Sequence, residues 1–409
     1  MSLPRVIFVN RIYWPAQAAT AQLLTDLAEG LAARGWVVHV IAAGDETGRQ
    51  HGVTMHRTGP GVKHGGLFSQ AANYWRFLRG ARRELRRLVQ PGDVVVPMTD
   101  PPMLGAAVSG IALRGGARVV HWIQDIYPEI VSAHVGAIAA APLWPLRARR
   151  DASWRSARTC LTPGADMALT VAARGVPGDR LAVLPNWAPR ELEAPPPPAE
   201  IAAQRTAWSV ADKFVVAYSG NLGRVHEFAT VLQAAELLRS RPEILFLFIG
   251  TGARFDEVRS AVRARRLDNV RLLPPQPRDR LAVTLAAADA HLVTLRPEFS
   301  RLVYPSKLAG VLAAGRPVLF VGPPGSEIDR LLGQEACGAT VAPGDAARLA
   351  ALVSEWQREP AGPGRLGRAA RHAFGRHFAF ESVLARWEET LRQAGNGPKF
   401  SLPRPDGAP

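Results

Sequence analysis

The sequence predicts an α/β protein with two doubly wound domains facing a cleft, and three observations predict it. Apolar runs such as RVIFVN, DVVVPM and ILFLFIG lack polar alternation, as strands of a sheet covered on both faces do. Helical segments stopped by glycine lie between these runs, so strand, helix and strand follow one another in short βαβ units. Four consecutive prolines, Pro195 to Pro198, then interrupt the series near its middle, where neither a helix interior nor a central strand accepts them. At 409 residues, two domains are the better expectation than one.

In the first half, RVIFVN is followed by a loop, a helix from about Ala21 to Arg34 stopped at Gly35, and the strand run WVVHVIAA. DVVVPM (Asp93 to Met98) precedes a small-residue helix and RVVHWIQ (Arg118 to Gln124). A helix around Leu146 to Arg158 leads to TCLTP, and a helix Asp166 to Arg174 ends at Gly175 before RLAVLPN. The stretch APRELEAPPPPAEIAAQ reads as an interdomain linker. A second series begins at KFVVAYSGNLG. It runs through a helix from Ala229 to Arg239, ILFLFIG, a helix to Arg266, VRLLPP, a helix to Ala288 and HLVTL. VYPSKLAGVLAAGRPVLFVG then supplies a helix ending at Gly315 and the strand Val318 to Val321, with another helix after Gly325. The last expected helix is Phe380 to Ala394, and the tail NGPKFSLPRPDGAP reads as disordered. The expected divisions are an N-terminal domain 1–190, a linker 191–210, a C-terminal domain 211–375, a helix 376–394 returning to the first domain, and the tail 395–409.

Apolar residues make up 47% of the chain, enough for large cores. Cys160 and Cys337 form no metal or redox spacing, which suits a reducing cytoplasm. The start, MSLPRVIFVNRIYWP, lacks the apolar core and cleavage site of a signal peptide. No run of about 18 apolar residues is present to span a bilayer. The net charge of +15 points to an anionic partner, a nucleotide, a phospholipid surface or nucleic acid, unless it reflects only a coding bias toward arginine.

In open α/β sheets ligands bind beyond the carboxyl ends of the strands, so the loops after strands carry the candidates. YSGNLGR follows a strand: Gly220 and Gly223 permit close backbone approach to a phosphate, Asn221 lies between them, and Arg224 adds charge. Gly250 and Gly252 in FIGTGAR form a second glycine turn, and Pro275 belongs to a rigid turn on which a flat base could rest. In VYPSKLAG, Ser306 and Lys307 open a helix whose free N–H groups and dipole attract a diphosphate, with Lys307 as point charge. Taken singly each loop also reads as an ordinary turn, and Lys307 as a solvated lysine beside an N-cap serine. Three phosphate-competent turns in one half favour nucleotide binding.

DPPMLGAAVSGIA, WIQDIYPE, RGVPGDRLAVLPNW, YSGNLG, PSKLAGVLAAGRPVLFVG and CGATVAPGD follow one another in order across both halves. Through them the chain resembles the GT-B-fold glycosyltransferases of the large retaining family 4, in the bacterial subgroup of colanic acid and fucosamine transferase type. The resemblance implies two Rossmann-like domains, the second binding a UDP- or GDP-linked sugar and the first binding the acceptor, with no cofactor required and no metal. It implies transfer with retention by front-face attack, in which a donor phosphate oxygen takes the acceptor proton. Diphosphate stabilisation falls to Gly223, Arg224, Lys307 and the N–H groups of Leu302, Val303 and Tyr304. Many members carry two glutamates eight residues apart here. Leu302 and Gly310 stand in those places, and Glu298 or Glu327 could substitute in the ribose contact.

In the first half Asp125, in HWIQDIYPE, could orient the acceptor hydroxyl or act as base, or could cap the next helix. His121 is as readily a packed strand residue as a catalytic one, and Glu129 may simply open a helix. Asn10, Tyr13 and Trp14 could contact the acceptor or fill their loop. Trp75, Arg76, Arg79, Arg83, Arg86 and Arg87, in NYWRFLRGARRELRRLVQ, suit an anionic membrane surface, and LWPLRARRDASWRSAR adds Trp144 and Trp154. A solvated helix with its apolar side in the core is the alternative. The favoured reading is a peripheral enzyme at the inner leaflet acting on a polyprenyl-diphosphate-linked sugar. A sugar-nucleotide epimerase and a basic nucleic-acid-binding protein are the competing readings. The epimerase needs more facing carboxylates and histidines than the chain offers, and no zinc or RNA-binding signature supports nucleic acid.

Overall fold

The computed structural model describes residues 5–16, 18–59, 61, 67–136, 141–359 and 361–396. They fall into two compact units. One takes in the chain up to Pro185, the short segment Arg301–Tyr304 and the residues from Val383 onward; the other takes in Asn186–Ser300 and Pro305–Ser382.

The first unit is built on the strands β1 (Val6–Val9), β2 (Val38–Ala42), β3 (Gly48–Gln50), β4 (Val53–Arg57), β5 (Val94–Pro97), β6 (Arg118–Trp122), β7 (Thr159–Thr162) and β8 (Leu181–Val183). They pair in the order β3-β4-β2-β1-β5-β6-β7-β8, with Val6 opposite both Val38 and Val94. All pairs are parallel except β3–β4. The order turns outward from β1 in both directions, so the loops after β1 and β5 stand side by side at the switch point. β1 and β5 are buried along their whole length, as their unbroken apolar runs require, and β7 is buried too although a threonine stands at each of its ends. The β3–β4 hairpin had no sequence expectation: GRQ is polar and VTMHR too short for alternation to stand out.

The body of the last helix, Phe380–Asn396, belongs to this unit from Val383 onward. Its Trp387 meets Trp122 edge-on at 4.7 Å, and both indoles are fully buried. Glu388 accepts from Arg34 and from the Trp36 indole, each at 3.1 Å. The rest of the expected tail lies outside the described residues.

The second unit contains β9 (Phe214–Ser219), β10 (Ile244–Ile249), β11 (Val270–Leu273), β12 (Ala290–Thr294), β13 (Val318–Val321) and β14 (Gly338–Val341), all parallel, in the order β11-β10-β9-β12-β13-β14. The segment read as a linker is folded into this unit. A 3₁₀ turn covers Arg190–Leu192, and a helix runs from Pro198 to Ala207. Pro198 occupies the first helical position, where a missing N–H costs nothing because that donor has no intrahelical partner. The four prolines therefore lead into a helix.

Candidate functional site

The glycine loops of the second unit converge after neighbouring strands. Gly220 follows β9 with φ +127°, and its N–H donates to Ile249 O at 2.9 Å. Gly250 follows β10 with φ +146°; a Cβ there would lie 2.1 Å from Gly220 O. Gly252, at φ +149°, leaves room for Asn221 and Leu222, whose atoms would be 2.4 and 2.6 Å from a Cβ. The two turns are thus laced together: Leu222 N donates to Thr251 O at 2.8 Å, and Arg254 N to Leu222 O at 2.9 Å. The N–H groups of Asn221, Gly223 and Arg224 donate to no other backbone group among the described residues.

Lys307 packs beneath this pair of turns. Its Nζ lies 3.5 Å from the centre of the Tyr218 ring, and a Cβ on Gly220 would stand 3.9 Å from it. The stem is partly exposed but Nζ is shielded from solvent and has no hydrogen-bond partner. Burial holds its pKa well below the ordinary lysine value. The alternative of a solvated lysine beside a capping serine does not hold. Ser306 is exposed, has helical dihedrals and caps nothing, and the helix Lys307–Ala313 has only seven residues. The positive group of the site is the side chain of Lys307 rather than a long helix end.

Sequence reasoning missed His226, three residues beyond Gly223. It is buried; its Nδ1 donates to Thr294 O at 2.7 Å, which leaves Nε2 as an acceptor. Burial, reinforced by the Lys307 charge, pushes its pKa down to about 3, so it is neutral. Tyr218, which heads the YSGNLGR motif but was given no role of its own, donates its hydroxyl to Asn221 O at 2.7 Å and supplies the ring under the ammonium. A histidine in a strand-to-helix loop was the available signal for the first, and a place at the head of YSGNLGR was the signal for the second. Arg254 bonds His226 O at 2.6 Å and pairs with Glu257.

Of the other expected donor residues, Arg224 and Pro275 are exposed. Glu327 opens a helix capped by Ser326 after β13. Glu298 is tied to Arg296 at 2.5 Å. Leu302, Val303 and Tyr304 group with the first unit: Leu302 O accepts from Ile126 N at 3.0 Å, and Val303 bridges Asp125 in an isolated antiparallel pair.

In the first unit the loops after β1, β5 and β6 bring Arg11, Asp100 and Asp125 together. Arg11 N donates to Asp100 O at 2.8 Å, and its guanidinium pairs with the Asp100 carboxylate at 3.1 Å, while Asp100 Oδ2 is buried without a partner. Burial, with Asp100's charge second, pushes the Asp125 carboxyl up to about 6. Asp125 caps no helix, since Pro128 is the cap of Glu129–Val135. Tyr127, held well above the ordinary phenol range by burial, stands by both carboxylates.

His121 resolves as a packed residue. It is buried against Gly105, with Nε2 2.9 Å from Ser153 Oγ and 3.2 Å from Ser109 Oγ, and burial lowers its pKa to about 4. Glu129 is held by Arg147 and Arg174, each at 3.2 Å, and by Arg150. Asn10 is fully buried, with Nδ2 on Ile12 O and Oδ1 unpartnered. Tyr13 is buried under Arg57 at 5.6 Å, whereas Trp14 is partly exposed.

The basic helix Leu67–Leu88 buries Phe77, Ala81 and Leu85 and turns Arg76, Arg79, Arg83, Arg86 and Arg87 outward. Trp75 is 58% exposed, with Arg79 stacked over it at 4.6 Å. In the second basic stretch Trp144 is 68% exposed, but Trp154 is buried beneath Arg150, so half of that set is core. Among the described residues no group of three His, Cys, Asp or Glu side chains converges as a metal site requires, and no helix is long and apolar enough to cross a membrane.

Residues 20–191 match the model of Glycosyltransferase Family 4, and residues 201–373 that of Glycosyl transferases group 1. The chain is 30% identical over 265 residues to WbjE of Pseudomonas aeruginosa, named as a glycosyltransferase; the match covers 64% of this chain and 66% of that protein. It is 29% identical over 159 residues to WcaI of Escherichia coli K12, named for glycosyl transfer in colanic acid biosynthesis, covering 39% of each. The chain thus spans just under two thirds of the first relative and well under half of the second. Among solved structures it superposes on Anabaena Alr3699/HepE in complex with UDP-glucose with a TM-score of 0.72 at 18% identity, over 95% of this chain and 99% of that one. That likeness is one of fold.

Proposed function

Since the chain belongs to glycosyltransferase family 4, we propose that it transfers a sugar from a UDP- or GDP-linked donor to a lipid-linked acceptor in the synthesis of a cell-surface polysaccharide, with retention at the anomeric carbon. One observation carries the reading: the ammonium of Lys307 is buried, without a partner, beside free N–H groups of a glycine loop. A buried cation lacking a counter-charge is costly, and a diphosphate supplies that charge. As the glycosidic bond breaks, charge gathers on the leaving diphosphate. Lys307 and the N–H groups of Asn221, Gly223 and Arg224 are fixed before that happens, so they lower the barrier without reorganising. The relative HepE was solved with UDP and with UDP-glucose, which supports a uridine nucleotide. WcaI's name supports an exopolysaccharide product.

The acceptor is assigned to the first unit. Asp125, whose carboxyl is pushed up to about 6 by burial, orients the acceptor hydroxyl and accepts a hydrogen bond from it. In front-face transfer the hydroxyl proton ends on a donor phosphate oxygen as the new C–O bond forms and the diphosphate leaves, so no protein nucleophile is required. Glu327, at a helix start after β13, is assigned the ribose.

The test is to incubate the pure protein with a panel of UDP- and GDP-sugars and polyprenyl-diphosphate-linked acceptors and to follow nucleotide release. Acceptor-dependent release with one donor is expected, and an α-linked product from an α-linked donor would establish retention. No release with any pair would overturn the reading.

Peripheral attachment to the inner leaflet is part of the proposal, supported by the exposed Trp75 with its row of outward arginines. The wild type is expected to sediment with phosphatidylglycerol vesicles and not with phosphatidylcholine vesicles. Arg79→Glu with Arg83→Glu should weaken that binding at least ~10-fold, at about 1 kcal/mol per charge lost and more on reversal. Equal binding by the double variant would leave these arginines as a solvated face.

A further inference from the structure

A basic cavity opens in the second unit at the opposite end of its sheet, away from the glycine loops. It has a volume of about 590 Å³ and is walled by the residues just before β9 (Asp212, Lys213), β12 (Asp289) and β13 (Arg316), together with Gln357 and the helix Ala361–His377, which brings Arg368 and Arg371. A volume of that size is within the range of small-molecule sites. β9 spans about 20 Å from this wall to Gly220, so the two regions cannot share one ligand.

The charges of the wall do not balance. Lys213, Arg316, Arg368 and Arg371 face two carboxylates, and both of those are engaged. Asp289 is taken by Arg205 at 3.1 Å and by Val215 N at 2.7 Å; Asp212 is 3.5 Å from Lys213. Arg371 is spent on the carbonyls of Leu192, Glu193 and Ala313. Arg316 bonds Ala286 O with one nitrogen, but its Nε is buried without a partner, and burial holds its pKa below the usual guanidinium value. Arg368 is exposed and has no hydrogen-bond or ion-pair partner among the described residues. Gln357 gives its carbonyl to Arg241 at 2.8 Å, which leaves its amide N–H groups as further donors.

A cavity lined by donors, with a desolvated guanidinium short of a partner and a second guanidinium free to swing in, is complementary to a planar-edged oxyanion. The forked guanidinium matches phosphate bidentately. The chain's own C-terminal residues are a poor occupant, because GPKFSLPRPDGAP carries more basic than acidic side chains. We infer that this cavity is an anion site for a phosphorylated small molecule, held by Arg316 and Arg368, separate from the nucleotide-sugar loops and independent of Lys307.

Inorganic pyrophosphate is the probe, titrated calorimetrically into the full chain with and without saturating UDP. One binding event that survives UDP is expected. Arg368→Glu should weaken it at least ~10-fold, the effect of losing one good charge-assisted contact (about 1.4 kcal/mol). Arg316→Gln should do the same, and Lys307→Met should leave it unchanged. Arg368 is exposed and structurally unengaged, so its variant keeps the fold, which circular dichroism checks. The inference is overturned by no UDP-resistant binding up to about 10 mM pyrophosphate, by binding indifferent to Arg368→Glu, or by binding lost only with Lys307. A failed donor panel with this pattern intact would sink the proposed activity and leave the anion site standing.

Discussion

Lys307→Met is expected to lower turnover by about 100- to 1000-fold, the usual cost of removing one preorganised stabiliser of a leaving oxyanion, while making the free protein more stable. The thioether keeps the contact with the Tyr218 ring and removes a buried ammonium that has no partner. The pH dependence separates the two effects. Lys307 titrates well below an ordinary lysine in the folded chain, so between its folded value and about 10.4 the unfolded chain holds the extra proton. Stability from this residue therefore rises with pH through that window, and the variant should lack the slope in denaturant titrations. A diphosphate arriving beside Nζ supplies the missing counter-charge and should raise the Lys307 pKa back toward its ordinary value. Proton uptake on UDP binding within that window, read from its enthalpy in buffers of different ionisation heat, is then expected, and Lys307→Met abolishes it. Undiminished turnover in the variant removes Lys307 from the mechanism, whatever its effect on stability.

Asp125→Asn is expected to reduce kcat about 100-fold with little change in the affinity for UDP, the size of effect usual when a group that positions a reacting hydroxyl is lost. In the wild type the acid limb of kcat/KM should fall off near pH 6, where burial and the neighbouring Asp100 place the carboxyl. Asp100→Asn removes that neighbouring charge and should carry the limb to lower pH, which a merely structural role for Asp100 would not do. The accompanying stability effect has a definite sign. A carboxyl raised in the folded state favours folding most fully below its unfolded value of about 4 and loses that contribution as pH rises through 6. Asp125→Asn should therefore gain stability relative to the wild type above pH 6. An asparagine variant with full turnover and an unmoved limb would assign the titration elsewhere and leave Asp125 as backbone for the bridge to Val303.

Much of this architecture is legible in the chain because it is written in short-range terms. DVVVPM and ILFLFIG announce strands buried on both faces, and they form β5 and β10. Gly220, Gly250 and Gly252 stand where φ exceeds +120°, a conformation that side chains oppose. Other features depend on context. The prolines before Ala199 read as a linker because their exclusion from helix interiors is strong, yet the last of them starts a helix. The β3–β4 hairpin is too short and too polar to register. His121 was open between two roles until Ser109 and Ser153 closed around it. Trp154 looked like surface, and the Arg150 stacked on it is itself buried by its ion pairs with Glu129 and Asp151.

By itself the sequence determined the alternation of strands and helices, the glycine turns that follow β9 and β10, and the place of Lys307 at the start of a short helix, because periodicity and backbone freedom act over a few residues. Only the tertiary structure decided that the Lys307 ammonium is buried over Tyr218 rather than solvated, that Asp125 shares its surroundings with Asp100, and that Leu302 to Tyr304 group with the first unit. Those outcomes depend on desolvation and on charges brought together from positions far apart in the chain, and no local pattern encodes either.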